Sequence, residues 1–194
     1  MRRSITAGAV LASLALFAPA AVAAPAVEQT TQHTTARAAA CHRTLKHYPV
    51  LRPGAHRPAV RTLQCVLNDD GYGPVVVDGA YGPQTRAAVR RVENGFEGPA
   101  PHPGRINNGF WVLLFGQHLP DRDLRAGQHG PAIRTLQRAL RAAGGRLAVN
   151  ATFGPRTRHV VRHYQRSQGV PVTGVVDERT RFFLAMGGVI GHQN

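Results

Sequence analysis

The residues of this chain best suited to chemistry are its arginines, because a guanidinium binds carboxylates and phosphates through two parallel hydrogen bonds. The 194 residues include 24 Lys+Arg and 10 Asp+Glu, which gives a formal net charge of +14. From residue 124 onward there are eleven arginines and two acidic residues. An anionic polymer is one ligand that such a surface would bind, and an ordinary solvated helix face is the alternative. The predicted polymer contacts recur at helical spacing and are Arg134, Arg138, Arg141, Arg158, Arg162 and Arg166.

Histidines and carboxylates give weaker signals for metal binding or catalysis. His159 and His163 have the i, i+4 spacing of metal ligands on a helix, but no glutamate follows His159 and no third ligand is evident. Asp78 could act as a general acid, although the repeat described below has Asn150 in its place. The sequence contains neither H-E-x-x-H nor G-x-S-x-G. We therefore predict a protein that is not an enzyme, with no catalytic residue, metal or cofactor.

The N-terminus has the pattern of a secretory signal peptide over residues 1–23. Arg2 and Arg3 precede a short apolar run at residues 5–17, and Ala21-Val22-Ala23 is a small-x-small cleavage site. The apolar run is shorter than the roughly 20 residues that a membrane span needs. We predict a secreted, extracellular protein that has no membrane contact after cleavage. Residues 24–40 are rich in Thr, Gln and Ala, which predicts a flexible linker.

Two cysteines, Cys41 and Cys65, follow the linker. An even pair of cysteines in an exported chain is typically bridged. We therefore predict a Cys41–Cys65 disulfide, which would close a loop of about 24 residues and stabilise the fold by roughly 3 kcal/mol in the chain-entropy model.

A long internal repeat organises the rest of the chain. LRPGAHRPAVRTLQCVL at residues 51–67 returns as LRAGQHGPAIRTLQRAL at residues 124–140, and the segments that follow also match. A period of about 70 residues fits a duplicated small domain better than a solenoid unit. We call residues 41–119 module 1 and residues 120–194 module 2.

Each module has the signals of three short helices. Proline opens the first helix at Pro58 and Pro131, and Gly-Pro opens the second at residues 82–83 and 154–155. Asn107 and Asp177 are good N-caps for a third helix. The sequence therefore predicts a mainly α fold of two tandem three-helix modules. The expected apolar faces are Val60, Leu63 and Leu67; Ile133, Leu136 and Leu140; Thr85, Ala88, Val89 and Val92; Thr157, Val160, Val161 and Tyr164; Trp111, Leu114 and Phe115; and Phe183, Leu184 and Met186.

Both modules resemble the tandem peptidoglycan-binding domains of bacterial cell-wall hydrolases and exported wall proteins. The resemblance is carried by the repeated first helix, then DGAYGPQTRAAVRRVE or NATFGPRTRHVVRHYQ, then GRINNGFWVLL or GVVDERTRFFL. Module 1 departs from the family pattern with Glu93 in place of Gln and Phe110 in place of Thr. Module 2 has Asn150-Ala151 in place of Asp-Gly, and Arg181 in place of Trp.

The resemblance implies that peptidoglycan is the ligand and that the turn leading into the second helix contacts it. A ring such as Tyr81 or Phe153 would either stack on a sugar or belong to the core. The expected contacts are Asp78, Gly79, Tyr81, Gly82 and Thr85 in module 1, and Asn150, Thr152, Phe153, Gly154 and Thr157 in module 2.

Other partners fit parts of the sequence. Teichoic-type anionic polymers would suit the arginines, and a module that docks or regulates a separate wall hydrolase would suit the family resemblance. The charge alone would also fit nucleic acid, but the signal peptide argues against that partner.

Overall fold

The described residues form six helices at the predicted signals, three in each module. The computed structural model describes residues 41–98, 100 and 102–191. The predicted signal peptide and linker, residues 1–40, lie outside the described residues. The first two helices of each module begin at the predicted prolines. Proline lacks a backbone N–H, but an N–H at the first helical position has no partner within the helix. The helices are α1 (Pro58–Asp69), α2 (Pro83–Glu93) and α3 (Asn108–Gly116) in module 1, and α4 (Pro131–Ala142), α5 (Pro155–Ser167) and α6 (Glu178–Ala185) in module 2.

The third helix of each module is capped by the predicted residue. The side chain of Asn107 accepts a hydrogen bond from the backbone N–H of Phe110 at 2.9 Å. Asp177 accepts from the N–H of Thr180 at 2.8 Å. Each contact satisfies a donor that the helix start would otherwise leave unbonded.

Each module is closed where its entry meets the segment before its third helix. Leu51 and Ile106 exchange backbone hydrogen bonds of 2.9 Å in both directions. Leu124 and Val176 form the corresponding pair in module 2 at 3.1 and 2.8 Å. These contacts are isolated antiparallel bridges rather than named strands. The predicted mainly α fold is therefore confirmed.

The predicted apolar faces form the core, with an exception at the end of α6. The faces of α1, α2, α4 and α5 are buried as expected, and so are Trp111, Leu114 and Phe115 of α3. Leu184 is also buried, and Phe183 is partly buried. The prediction for Met186 is wrong, because α6 ends at Ala185 and the side chain of Met186 is 65% exposed.

The two modules pack against each other through α3. All residues from Gly109 to Gly116 are buried, and α3 contacts both α4 and α6 of module 2. Gly116 allows the close approach, since a Cβ at this position would lie 2.3 Å from the carbonyl oxygen of Leu184. The described residues all fall in a compact unit that spans Ala36–Asn194. Small modules bury little apolar surface alone, so sharing α3 adds core to both.

The N-terminal arm, residues 41–48, is attached to α1. The predicted disulfide between Cys41 and Cys65 is confirmed, with an S–S distance of 2.08 Å. Thr62 donates to the carbonyl of His42 at 2.7 Å. Among the described residues no helix is long and apolar enough to span a membrane.

Candidate functional site

The turn that leads into α2 is held by a glutamine of α1. The Nε2 of Gln64 lies 2.7 Å from Oδ1 of Asp78, 3.0 Å from the carbonyl oxygen of Ala80 and 3.0 Å from Oγ1 of Thr85. Its Oε1 accepts from the N–H of Gly79 at 2.9 Å. A single buried amide therefore joins α1, the turn and the first turn of α2.

Module 2 repeats this arrangement around Gln137. Its Nε2 lies 2.9 Å from Oδ1 of Asn150, 2.9 Å from the carbonyl of Thr152 and 3.1 Å from Oγ1 of Thr157. Its Oε1 accepts from the N–H groups of Asn150 and Ala151. Asn150 replaces Asp78 without loss because only an acceptor oxygen is needed there. Ala151 adopts the left-handed conformation with φ 63°, which is less favourable for alanine than for the glycine in module 1.

These turns divide the predicted contact residues into buried and accessible ones. The rings of Tyr81 and Phe153 are 2% and 1% exposed, so both belong to the core and neither can lay its face on a sugar. The hydroxyl of Tyr81 donates to the carbonyl of Gly104 at 2.8 Å. Gly79, Thr85 and Thr157 are buried as well, whereas Gly82 and Gly154 are half-buried, and Asp78, Asn150 and Thr152 are exposed.

Asp78 is held as an ionised acceptor rather than as a proton donor. Its Oδ1 accepts from the N–H of Ala80 at 2.8 Å. This backbone hydrogen bond, followed by the one from Gln64, lowers the pKa of Asp78 below its ordinary value. A carboxyl group in this state would be a poor general acid near neutral pH.

A groove of about 460 Å³ runs beside the turn of module 2. One wall carries Arg158 and Arg162, whose side chains lie over Gly174. A Cβ at Gly174 would be 3.0 Å from Cγ of Arg158 and 3.0 Å from Nε of Arg162. Within the described part of the chain neither arginine forms an ion pair, so both charges are available to a ligand. The lining residues are Ala126, Gly127, Thr152, Phe153, Gly154, Pro155, Arg158, His159 and Arg162.

The same surface of module 1 has different side chains. Pro53 lies over Gly104, the counterpart of Gly174, at a distance of 3.4 Å from a Cβ built there. The repeat places Arg86 and Arg90 at the positions of Arg158 and Arg162, but Ala87 at the position of His159. The two modules thus share the turn but differ in the side chains beside it, which are a proline in module 1 and two arginines in module 2.

The predicted arginines separate into two groups. Nε of Arg138 donates to Oγ1 of Thr44 at 3.0 Å, and Nη1 of Arg141 donates to the carbonyl of Leu45 at 2.9 Å. These two arginines fasten the N-terminal arm to α4, and burial lowers the pKa of Arg138. The exposed members of the predicted set are Arg134, Arg158, Arg162 and Arg166.

His159 and His163 both lie exposed on α5. No group of three or more His, Cys, Asp or Glu side chains that could hold a metal ion occurs among the described residues.

Sequence reasoning missed the part played by the glutamines. Gln64 and Gln137 occupy the same place in the repeat, and that identity was the available signal. A third glutamine, Gln165, holds the turn before α6 in the same manner, with its Nε2 2.7 Å from the carbonyl of Val175 and its Oε1 accepting from Gly174.

The geometry defines a duplicated helical module in which each copy holds its turn with a buried glutamine. A family described as "Putative peptidoglycan binding domain" matches residues 56–99 and 129–184. The two segments make up more than half of the chain, which therefore belongs to this family and contains two copies of its domain. No curated protein matches the chain.

Solved structures resemble this chain over 34% of its length. The N-terminal domain of SleB is 27% identical, with a TM-score of 0.33 and 92% of that chain covered. A Clostridioides difficile peptidoglycan-binding protein in complex with glutamine hydroxamate is 23% identical, with a TM-score of 0.33. A Burkholderia AP3 phage endolysin is 36% identical, with a TM-score of 0.34. The aligned part spans 41% of the Clostridioides difficile protein and 26% of the endolysin.

Proposed function

We propose that the mature protein is exported and binds cell-wall peptidoglycan through its two modules without cleaving it. The observation that carries the proposal is the groove of module 2, where two unpaired arginines stand beside the family's repeated turn. Stem peptides of peptidoglycan carry carboxylates, which guanidinium groups bind strongly. The exposed Thr152 offers a hydroxyl beside the same groove for a sugar or a peptide group.

Two binding modules on one chain suit a polymer that repeats its epitope. The second binding event becomes intramolecular, so two weak sites together bind far more tightly than either alone. The contact of α3 with α4 and α6 fixes the relative orientation of the modules, which reduces the freedom lost on binding.

The absence of catalysis is the second part of the proposal. Asp78, the general-acid candidate that the sequence suggested in module 1, is engaged by Gln64 and has a lowered pKa. Module 2 has Asn150 at that position, which cannot donate a proton as a carboxylic acid does.

Export is the third part. The disulfide between Cys41 and Cys65 supports it, because disulfides persist in oxidising compartments outside the cytoplasm.

Co-sedimentation with purified sacculi tests the function. The full mature chain is mixed with sacculi stripped of accessory polymers over a series of salt concentrations. We expect the protein in the pellet at low salt and partial release at high salt, because screening weakens the arginine contacts. Soluble wall fragments should stay at the level of a no-protein control, with or without added zinc.

The outcomes separate the competing functions. Protein that stays in the supernatant at low salt would exclude peptidoglycan as the ligand. Binding to unstripped wall alone would indicate a teichoic-type polymer. Binding that needs an added wall hydrolase would indicate a docking module, and release of fragments would indicate an enzyme.

A further inference from the structure

The N-terminal arm bridges the two modules. Its start is bound to module 1 by the disulfide and by an ion pair in which Nη2 of Arg43 lies 2.8 Å from Oδ1 of Asp69. Its middle is bound to module 2, through the contacts of Thr44 with Arg138 and of Leu45 with Arg141. The arm is therefore held by both modules, and it is not part of the duplicated motif.

A groove of about 480 Å³ lies beyond this bridge. The arm forms one side of the groove, the start of α3 contributes Asn108, and the end of α4 with the following turn forms the other side. No acidic residue is among the lining residues of this groove, and Lys46 and Arg146 are exposed within it. The lining residues are Lys46, His47, Tyr48, Asn108, Arg141, Gly144, Gly145, Arg146 and Leu147.

Hydrogen bonds fix the walls of the groove before any ligand binds. Arg141 donates through Nε and Nη2 to the carbonyl of Leu147, at 3.1 and 2.5 Å, while its Nη1 holds Leu45 of the arm. Nδ2 of Asn108 donates to the carbonyl of Ala142 at 2.9 Å. These hydrogen bonds occupy three carbonyl oxygens around the groove, and the exposed charged side chains within it, Lys46 and Arg146, are both cationic.

We propose that this groove binds a phosphate group of an anionic polymer, with Lys46 and Arg146 as direct contacts and Arg141 as a positioning residue. Three cationic side chains, with no acidic residue lining the groove, favour a strongly charged oxyanion, and lysine and arginine both bind phosphate well. The site goes beyond the proposed function, because it lies outside the repeated turns and takes a different ligand class. The disulfide, the Arg43–Asp69 ion pair and the hydrogen bonds from α4 together position the arm that carries Lys46.

Titration of the full mature chain with synthetic poly(glycerol phosphate), followed by calorimetry, tests the site. We expect salt-sensitive binding that weakens by about tenfold or more in Lys46→Glu/Arg146→Glu, since each change removes a charge-assisted contact. The matched control is Arg122→Glu/Arg125→Glu, which makes the same change in net charge at exposed positions away from the groove. The control should bind almost as the wild type does, and near-UV circular dichroism checks that both variants are folded.

Further comparisons could contradict the proposal. Poly-γ-glutamate of matched charge should bind more weakly, and equal binding would overturn the assignment to phosphate. Equal weakening in the groove variant and its control would overturn the groove as a site. Sedimentation of the groove variant with stripped sacculi should be unchanged, which separates this site from peptidoglycan binding.

Discussion

The two modules hold the turn before their third helix with different chemistry. In module 2, Nε2 of Gln165 lies within hydrogen-bond distance of Thr173, Val175 and Thr180, while its Oε1 accepts from Gly174. In module 1, Glu93 accepts from the N–H of Gly104 at 2.7 Å. A carboxylate has no N–H to donate, and Phe110 in place of Thr180 has no hydroxyl to receive one. The two departures from the family pattern therefore belong together.

The third helices differ in a parallel way. Trp111 is fully buried, and its Nε1 donates to the carbonyl of Pro49 at 3.0 Å. Arg181, its counterpart, donates from Nη2 to Oδ1 of Asp121 at 2.7 Å. Both side chains connect the third helix to the entry of their own module, by apolar packing in one case and by charge in the other. The comparison shows that one backbone fold accepts either an apolar or a charged side chain at this position. What both modules keep is the contact between the third helix and the first segment of the module.

Replacing these two residues should give the largest difference between the modules. Trp111→Ala should destabilise the protein by about 3–5 kcal/mol, because it leaves a cavity in the shared core. Arg181→Ala should cost less, about 1–2 kcal/mol, since its partner Asp121 is almost fully exposed and the loss comes mainly from the packing of the arginine stem. Urea unfolding of the full chain measures both. Similar losses of unfolding free energy in the two variants would show that the charged contact of Arg181 stabilises the fold as much as the apolar packing of Trp111.

Exchanging the residues that hold the third turn should give a smaller and asymmetric effect. Gln165→Glu should cost about 1–3 kcal/mol, because the buried acceptors lose their N–H donor. Glu93→Gln should cost less, about 1 kcal/mol or below, since Oε1 can still accept from Gly104 although Phe110 offers no hydroxyl to the new N–H. The measurement is again urea unfolding, near neutral pH. An equal loss in both variants would contradict the distinction between the modules.

Asp70 should add a small dependence of stability on pH that belongs to module 1. Burial raises the pKa of Asp70 to about 7, with Asp69 adding to the rise and His118 opposing it. Because the folded pKa exceeds the unfolded one, this group stabilises the fold below about pH 4 and loses that effect as the pH rises to about 7. Ala143 is the counterpart in module 2 and does not titrate.

The Asp70→Ala variant isolates this contribution. Urea midpoints of wild type and variant are compared at pH 5 and pH 8, so that titrating groups remote from Asp70 cancel. The difference then belongs to Asp70 together with its contact to His118. The wild type should lose more stability between the two pH values than the variant. An identical loss would show that Asp70 does not titrate in this range.

Local signals in the sequence predicted the fold well. Pro58, Pro131, Asn107 and Asp177 mark helix starts through their own backbone preferences, so their effect can be recognised without knowing the tertiary contacts. The disulfide was predictable from the predicted export of the chain and from its even number of cysteines. Periodicity gives the apolar face of a helix but not what covers it, which is why the prediction for Met186 failed.

The candidate site was harder to predict, because a repeated motif does not separate contact residues from supporting ones. The aromatic residues Tyr81 and Phe153 repeat because both rings belong to the core. The glutamines repeat because each one holds a turn. The contacts of Arg138 and Arg141 with the arm depend on how the modules pack, which an arginine stripe alone does not reveal.

The central claim is that module 2 makes the principal peptidoglycan contact through its arginine-lined groove. The most direct test is sedimentation with stripped sacculi at low salt, comparing Arg158→Glu/Arg162→Glu with the matched change Arg86→Glu/Arg90→Glu in module 1. The account predicts that the module 2 variant loses most of its binding, about tenfold or more, while the module 1 variant keeps the larger part. Equal loss in both variants, or a greater loss in the module 1 variant, would contradict it.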